Sequence, residues 1–439
     1  MFRYYLKLGA LSIRANPALS ILMVLAIAVG IGACMTIVTV KHVMSDNPIA
    51  HKNDVLYHVQ VDNWSPAEPY QDPDKPPEQM TYLDAKALYD AGKAFRQVTS
   101  YKTSRVVQPE GEGARPFQLE ARATTADFFP MFDVPFLYGS PWDRASDDAE
   151  ERVTVLSQEL NEQLFGGEDS TGRMLTINGE EYRVSGVLDE WTPVPKFYDL
   201  NNNPYEAPEA LYLPFSLAAT NGFSRSGNTN CWKPVADGGF EEFLASECIW
   251  IQMWIELRDA SEKEGYLQFL DAYAEEQKAL GRFQRPLNNR LNTPSEWLAD
   301  QEVVDDNVNV LLSIAVLFLL VCLLNTIGLL LAKIMRRAKD ISLRRALGAS
   351  KRTLFVQYII EAGMIGTAGG LLGVGATWLG LRGIENLWSD YDFIQYLVRM
   401  DWSMVLLAVV LAVFSALAAA MYPTWRACNI TPASQLRIQ

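Results

Sequence analysis

Four stretches of this 439-residue chain, 15–40, 307–332, 362–381 and 402–425, carry no charged side chain. Each is long enough to cross a hydrocarbon core of about 30 Å, which takes roughly 20 residues at about 1.5 Å per residue. Backbone polar groups in that core find no water, so each stretch is read as a self-bonded helix. The first stretch has a rival reading. Arg3, Lys7 and Arg14 precede it, and Ala26-Ile27-Ala28 looks like a small-residue cleavage site. The apolar run continues well past that site, which favours a retained span over a removed signal.

Charge then orients the chain. After the second stretch the loop from Lys333 to Arg352 holds Lys333, Arg336, Arg337, Lys339, Arg344, Arg345, Lys351 and Arg352 against a single acid, Asp340. Short basic loops stay in the cytoplasm, so this loop and the basic N-terminal segment are read as internal. Segment 44–306 holds 22 basic and 46 acidic residues, a net of −24, and is read as external. The net charge of −14 thus joins an acidic external domain to a basic internal base, which argues against nucleic acid as a partner. The expected layout is an amphipathic segment 1–14, spans at 15–43, 307–332, 355–381 and 402–425, an internal loop 333–354, an external loop 382–401 and a tail 426–439.

Of five cysteines only Cys231 and Cys248 fall in the external segment, where disulfides persist, and they are predicted to pair. That segment is expected to be a large α+β domain of two lobes, with the second inserted over about 150–235. Strand-like runs occupy 55–61, 118–124, 153–156, 174–177, 182–187 and 249–257. Helices are expected over 81–91, where Thr81 and Asp84 have the spacing of a helix start, through 164, and over 261–280. Asn178-Gly179 between two strand-like runs is a hairpin signal. The stretch 191–237, rich in Pro, Asn and Gly, reads as an elaborated loop.

Several motifs resemble the permeases of the MacB, FtsX and LolC/LolE type, the mechanotransmitting subunits of ABC transporters. They are Val153-Thr154-Val155-Leu156-Ser157 with Leu164-Phe165-Gly166-Gly167, Thr171-Gly172-Arg173, Ile177-Asn178-Gly179, and Tyr182-Arg183-Val184-Ser185-Gly186-Val187 in the external domain. Asn16-Pro17 with Gly30-Ile31-Gly32 resembles the family's first helix. Asp340-Ile341-Ser342-Leu343-Arg344-Arg345-Ala346-Leu347-Gly348-Ala349-Ser350-Lys351 with Glu361-Ala362 resembles its internal loop. Tyr422-Pro423-Thr424-Trp425-Arg426-Ala427 with Thr431-Pro432-Ala433 resembles its C-terminal signature. Where the family has Glu-Ile-Gly this chain has Asp340-Ile341-Ser342. The resemblance implies four membrane helices with a periplasmic domain between the first and second, seated in the inner membrane with both termini cytoplasmic.

It also implies a division of labour. The chain has no Gly-Lys-Ser or Gly-Lys-Thr phosphate loop, and Gly348-Ala349-Ser350-Lys351 has the wrong spacing, so ATP and its Mg are expected in a separate ABC ATPase dimer, with no cofactor or metal held here. The internal loop is expected to carry a coupling helix that docks on that ATPase, through Asp340, Ile341, Leu343, Arg344, Arg345 and Leu347. Arg336 and Arg337 are equally suited to membrane lipid. Small residues at Ala26, Ala28, Gly30, Gly32, Gly366, Gly370 and Gly373 suit close helix packing, and Asn325 suits a hydrogen bond to a neighbouring helix. A second permease subunit, a periplasmic adaptor and an outer-membrane channel are further expected partners, with export of peptides, antibiotics or other amphiphiles as the expected activity. A signal relay to a cell-wall hydrolase and lipoprotein extraction are the alternatives. No catalytic site is expected: His42, His51 and His58 lack metal spacing, and Asp72 with Asp74 reads as a solvated turn.

Overall fold

The computed structural model describes residues 2–111, 113–235, 238–304, 306–387 and 402–429. The chain divides into two compact units, Met1–Ser45 with Val304–Gln439, and Asp46–Val303. Most of the expected external loop and the Thr431-Pro432-Ala433 motif lie outside the described residues.

The first unit is helical. A helix over Phe2–Ala15 stops before Pro17, whose ring disfavours helical geometry at the preceding residue and whose missing N–H suits a helix's first position. The first span then runs unbroken over Pro17–Ser45, past the small-residue site at Ala26-Ile27-Ala28. The second, third and fourth spans are Asp306–Arg336, Lys351–Leu387 and Trp402–Cys428, all long and apolar enough to cross a membrane. The chain is a multi-pass membrane protein.

Small residues set how closely the spans approach. A Cβ on Gly366 would lie 2.6 Å from Ala416 Cβ, and one on Gly370 would lie 2.9 Å from Ala412 Cβ, so the third span is pressed against the fourth. The fourth answers with Ala408, Ala412, Ala416 and Ala420, buried at four-residue spacing along one face. Gly32 and Gly373 bring the first and third spans together in the same way, opposite Ala376 and Ile31, and Gly30 meets Leu319 and Cys322 of the second. Ala28 is buried beside this contact and Ala26 is half-buried. These residues therefore pack the subunit internally, whereas Asn325 is exposed.

The second unit is built on one ten-stranded sheet. Its strands come from β1 (Leu56–Gln60), β2 (Arg96–Gln108), β3 (Phe117–Thr124), β4 (Phe136–Gly139), β5 (Val153–Leu156), β6 (Met174–Ile177), β7 (Glu180–Leu188), β8 (Leu211–Pro214), β11 (Gln252–Glu256) and β12 (Arg290–Asn292), while β9 (Asn230–Cys231) and β10 (Cys248–Ile249) form a separate pair. The order is β12-β1-β11-β2-β3-β8-β5-β7-β4, with β6 bridging β2 and β7. The hairpin between β6 and β7 turns on Asn178 (φ 50°) and Gly179 (φ 86°), the positive angles that a two-residue turn requires. Thr81 caps helix Tyr82–Ala91 by accepting from Asp84 N at 3.1 Å, and Ser157 caps Gln158–Phe165 likewise.

Stretch 150–235 does leave the first part of the domain, yet it shares that part's sheet. β8 pairs with β3 in parallel, Ala121 against Leu211 and Ala123 against Leu213, so the two expected lobes have no separate cores. Two apolar layers lie on opposite faces of the sheet: Tyr57, Val59, Ala121, Leu213 and Ile255 belong to one, and Leu56, Val98, Val155, Tyr212 and Trp254 to the other. The region 191–237 is thus more than a loop, because it supplies β8 and the helix Phe215–Thr220.

A buried charge cluster locks that joint. Arg122 on β3 grips Glu209 with two bonds (Nε to Oε2 3.0 Å, Nη2 to Oε1 2.7 Å) and also holds Asp199. Lys196 reaches Glu209 at 3.2 Å, and Tyr198 donates to it at 3.1 Å. Burial alone would raise the Glu209 carboxyl, but the charges of Arg122 and Lys196 outweigh it and hold the group well below the usual carboxylate range. Cys231 and Cys248 are joined as a disulfide across the β9–β10 pair.

Candidate functional site

The second span stops at Arg336 and the third begins at Lys351, with a short helical connection between them. Arg337 follows the second span, and helix Ala338–Ala346 comes next. It ends at Gly348, whose φ of 99° favours glycine and lets Gly348 N and Ala349 N bond back to Arg345 O and Arg344 O. Ser350 then caps the third span, its hydroxyl accepting from Thr353 N at 3.1 Å.

The helix is two-faced at helical spacing. Ala338, Ile341 and Ser342 are buried, and Ile341 packs with Ile334, Leu354, Ala427 and Cys428. On the other side Leu343 is 56% exposed and Leu347 is 80% exposed, four residues apart and therefore neighbours on one face. Asp340 and Arg344 are exposed as well. Among the described residues Arg344 reaches only the Gln357 side chain, at 3.4 Å, while Arg345 donates to Cys428 O at 3.2 Å and ties the helix to the end of the fourth span. Ile341 was expected on the docking face; its burial makes it the helix's anchor instead. Ser342, at the departure from Glu-Ile-Gly, turns its hydroxyl inward without a hydrogen-bond partner among the described residues.

Behind the helix lies a polar cluster centred on Glu361. Glu361 on the third span meets Lys333 of the second at 2.5 Å, and both are buried. Lys333 also donates to Ser20 of the first span at 3.0 Å. Ser12 of the N-terminal helix donates to Glu361 at 2.7 Å and accepts from Arg337 at 2.6 Å, and Arg337 bonds Ser12 O at 3.2 Å. Four helices and the linking residue Arg337 therefore share one largely buried network, in which Lys333 is a structural partner and not merely a topology signal. Nothing in the sequence marked Ser12 or Ser20 as its members.

The remaining candidates disperse. His51 meets Asp133 at 2.7 Å, His42 is exposed, and His58 is buried between Trp254 and Trp297. Burial pushes the His58 imidazole down to about 3. Asp74 N donates to the Asp72 carboxylate at 2.9 Å, a local turn. Among the described residues no three His, Cys, Asp or Glu gather as a metal site.

Comparison with known proteins settles the class. The MacB-like periplasmic core domain model matches residues 20–264, more than half of the chain, and the FtsX-like permease C-terminal model matches 312–432. The chain belongs to the MacB-like permease family. This MacB-like ABC transporter permease is 24% identical to the macrolide export ATP-binding/permease protein MacB of Rhodospirillum rubrum, over 84% of the chain and 51% of that protein. It is 24% identical to the pyoverdine export ATP-binding/permease protein PvdT of Pseudomonas aeruginosa, over 71% of the chain and 41% of that relative. The chain thus spans about half the length, or less, of these two fused relatives. Against the uncharacterized ABC transporter permease YknZ of Bacillus subtilis it is 22% identical over 99% of the chain and 98% of the relative. The crystal structure of the periplasmic region of MacB from Actinobacillus actinomycetemcomitans superposes with a TM-score of 0.35 at 14% identity, covering 57% of this chain and 94% of that one.

Proposed function

We propose that this permease works as a transmission: it couples ATP hydrolysis by a separate ABC ATPase to movement of its α/β domain, and so drives export of amphiphilic cargo from the cytoplasmic membrane. The observation that carries this reading is the two-faced loop helix. Its inward face, Ala338, Ile341 and Ser342, is rooted in the bundle, and its outward leucines, Leu343 and Leu347, are left uncovered. A rigidly mounted helix with an apolar outer edge is what a partner needs to push four spans together. Full length similarity to a permease without the fused ATP-binding name, and the absence of a phosphate loop in these 439 residues, support a separate ATPase. The charge asymmetry of the sequence supports cytoplasmic termini and an external α/β domain.

The second span supports a second permease subunit. Ile314, Phe318, Val321, Asn325, Gly328 and Ala332 are all exposed and recur at alternating four- and three-residue steps. That is the spacing of a helix–helix seam, and an amide within it is stabilised only by a partner in hydrocarbon. A second copy, or a homologue with the same seam, supplies one. The export names of relatives, macrolide for MacB and pyoverdine for PvdT, support an exported amphiphile as the cargo. Co-purification tests the core of the reading: the wild-type chain is expected to retain a neighbouring-gene ATPase, and the chain alone to hydrolyse no ATP. Hydrolysis by the purified chain would overturn it.

A further inference from the structure

Beside the loop helix the bundle holds an open cavity of about 270 Å³. Leu8 and Leu11 of the N-terminal helix and Leu354 of the third span make its apolar side. Arg337, Asp340 and Arg344 make its charged side. The arginines differ in their commitments. Arg337 is fixed by Ser12 through Nη1 and Nη2, and Asn16, with its amide turned to accept, takes two further bonds, from Arg337 Nε at 3.3 Å and Nη2 at 3.0 Å, which leaves one Nη1 hydrogen of its five-donor fork uncommitted among the described residues. Arg344 makes one long bond, to Gln357 at 3.4 Å, so most of its donors face outward. Asp340 pairs with no described residue within ion-pair distance.

The cavity lies where the N-terminal helix, the loop helix and the start of the third span meet, at the end of the spans, which is the level of the headgroups of a surrounding bilayer. The N-terminal helix is itself built for that level: Arg3, Lys7 and Arg14 are exposed beside exposed Tyr4 and Leu11. Two cations and one anion around an apolar wall do not match a purely anionic lipid, which would leave Asp340 facing negative charge. They match a headgroup carrying both signs.

We propose that this cavity binds one zwitterionic aminophospholipid, a phosphatidylethanolamine, with its phosphate on Arg337 and Arg344, its primary ammonium on Asp340 and its glycerol end along Leu8, Leu11 and Leu354. The planar guanidinium forks suit phosphate oxygens, and an ammonium with three N–H donors can be held by one carboxylate where a trimethylated head cannot. Bound there, the lipid bridges the N-terminal helix to the loop helix. The inference rests on membrane insertion of the spans and not on ATPase coupling, so the two readings fail separately.

Native mass spectrometry of the full-length permease, purified without any ATPase and offered phosphatidylethanolamine, phosphatidylglycerol or phosphatidylcholine of identical acyl chains, tests it. One tightly retained phosphatidylethanolamine is expected, held about tenfold better than the other two. Asp340→Asn is expected to erase the preference over phosphatidylglycerol, and Arg344→Gln to weaken retention of phosphatidylethanolamine about tenfold; both positions are exposed, so neither change disturbs the core. Equal retention of the three lipids, or a preference unchanged in Asp340→Asn, overturns the proposal.

Discussion

Replacing Leu343 and Leu347 by Ala separates docking from folding, and the size of the effect follows from their exposure. Fully burying a leucine side chain contributes about 2 kcal/mol. With 80% of Leu347 and 56% of Leu343 still open, a groove that covers both gains roughly 1.6 and 1.1 kcal/mol, or about 2.7 kcal/mol together. That corresponds to roughly a hundredfold weaker ATPase affinity in the double variant. Ile341→Ala is the internal contrast. Ile341 is 3% exposed, so its truncation removes packing inside the bundle and costs about 2–5 kcal/mol of stability there. Biolayer interferometry of the purified permease in nanodiscs against the ATPase reads the first effect, and thermal unfolding of the same samples reads the second. The expected pattern is weak binding with unchanged melting for the leucine pair, and lowered melting for Ile341→Ala. Unchanged affinity in the double leucine variant would remove the outward edge of the loop helix from the docking surface.

Other consequences concern the network, the seam and the α/β domain. Glu361→Gln leaves Lys333 buried without its counter-charge and is expected to destabilise the bundle by about 3–5 kcal/mol, while joint replacement of both by Leu and Met recovers most of that in thermal unfolding. Asn325→Cys is expected to give a disulfide-linked permease dimer under mild oxidation in membranes, and an exposed residue off that seam, such as Leu320→Cys, is not. His58 sits at about 3 in the fold against about 6.5 in a free chain, so its neutral form favours folding above pH 6.5 and that contribution fades as pH falls toward 3. Asp147 opposes it: burial lifts its carboxyl to about 7, so its contribution is present below about pH 4 and lost as pH rises. The difference between wild type and His58→Phe isolates the histidine, and the variant is expected to gain about 2 kcal/mol relative to wild type between pH 6.5 and 5. Glu209→Gln leaves Arg122 and Lys196 less compensated in a dry site and is expected to cost about 3 kcal/mol, read as faster amide exchange along β3 and β8.

What could be seen in the amino-acid order was whatever depends on local runs. Uncharged length marked the four spans, Asn178-Gly179 marked its hairpin, and Thr81 marked a helix start, because each acts over a few neighbouring residues. Long-range pairing left no such trace. Leu211-Tyr212-Leu213 is too short to announce a strand, and its parallel partnership with β3, fixed by Arg122 and Glu209 from distant stretches, is what merges two expected lobes into one sheet. The loop helix shows the same boundary. Its position and its leucines were legible, but which face would turn inward depended on Leu354 and Cys428, far along the chain, and so Ile341 was misassigned. The glycines announced close packing without naming the neighbour, and the fourth span's alanines turned out to be one of them.

The transmission itself is tested by spin labels placed on the α/β domains of paired permeases and read by pulsed dipolar spectroscopy, with and without ATP. With the partner ATPase bound, ATP is expected to shift the distance distribution in the wild type, and the Leu343/Leu347 double variant to show no shift under conditions where it still inserts and folds. A distribution indifferent to ATP in the wild type, or an equal shift in the double variant, would contradict the account.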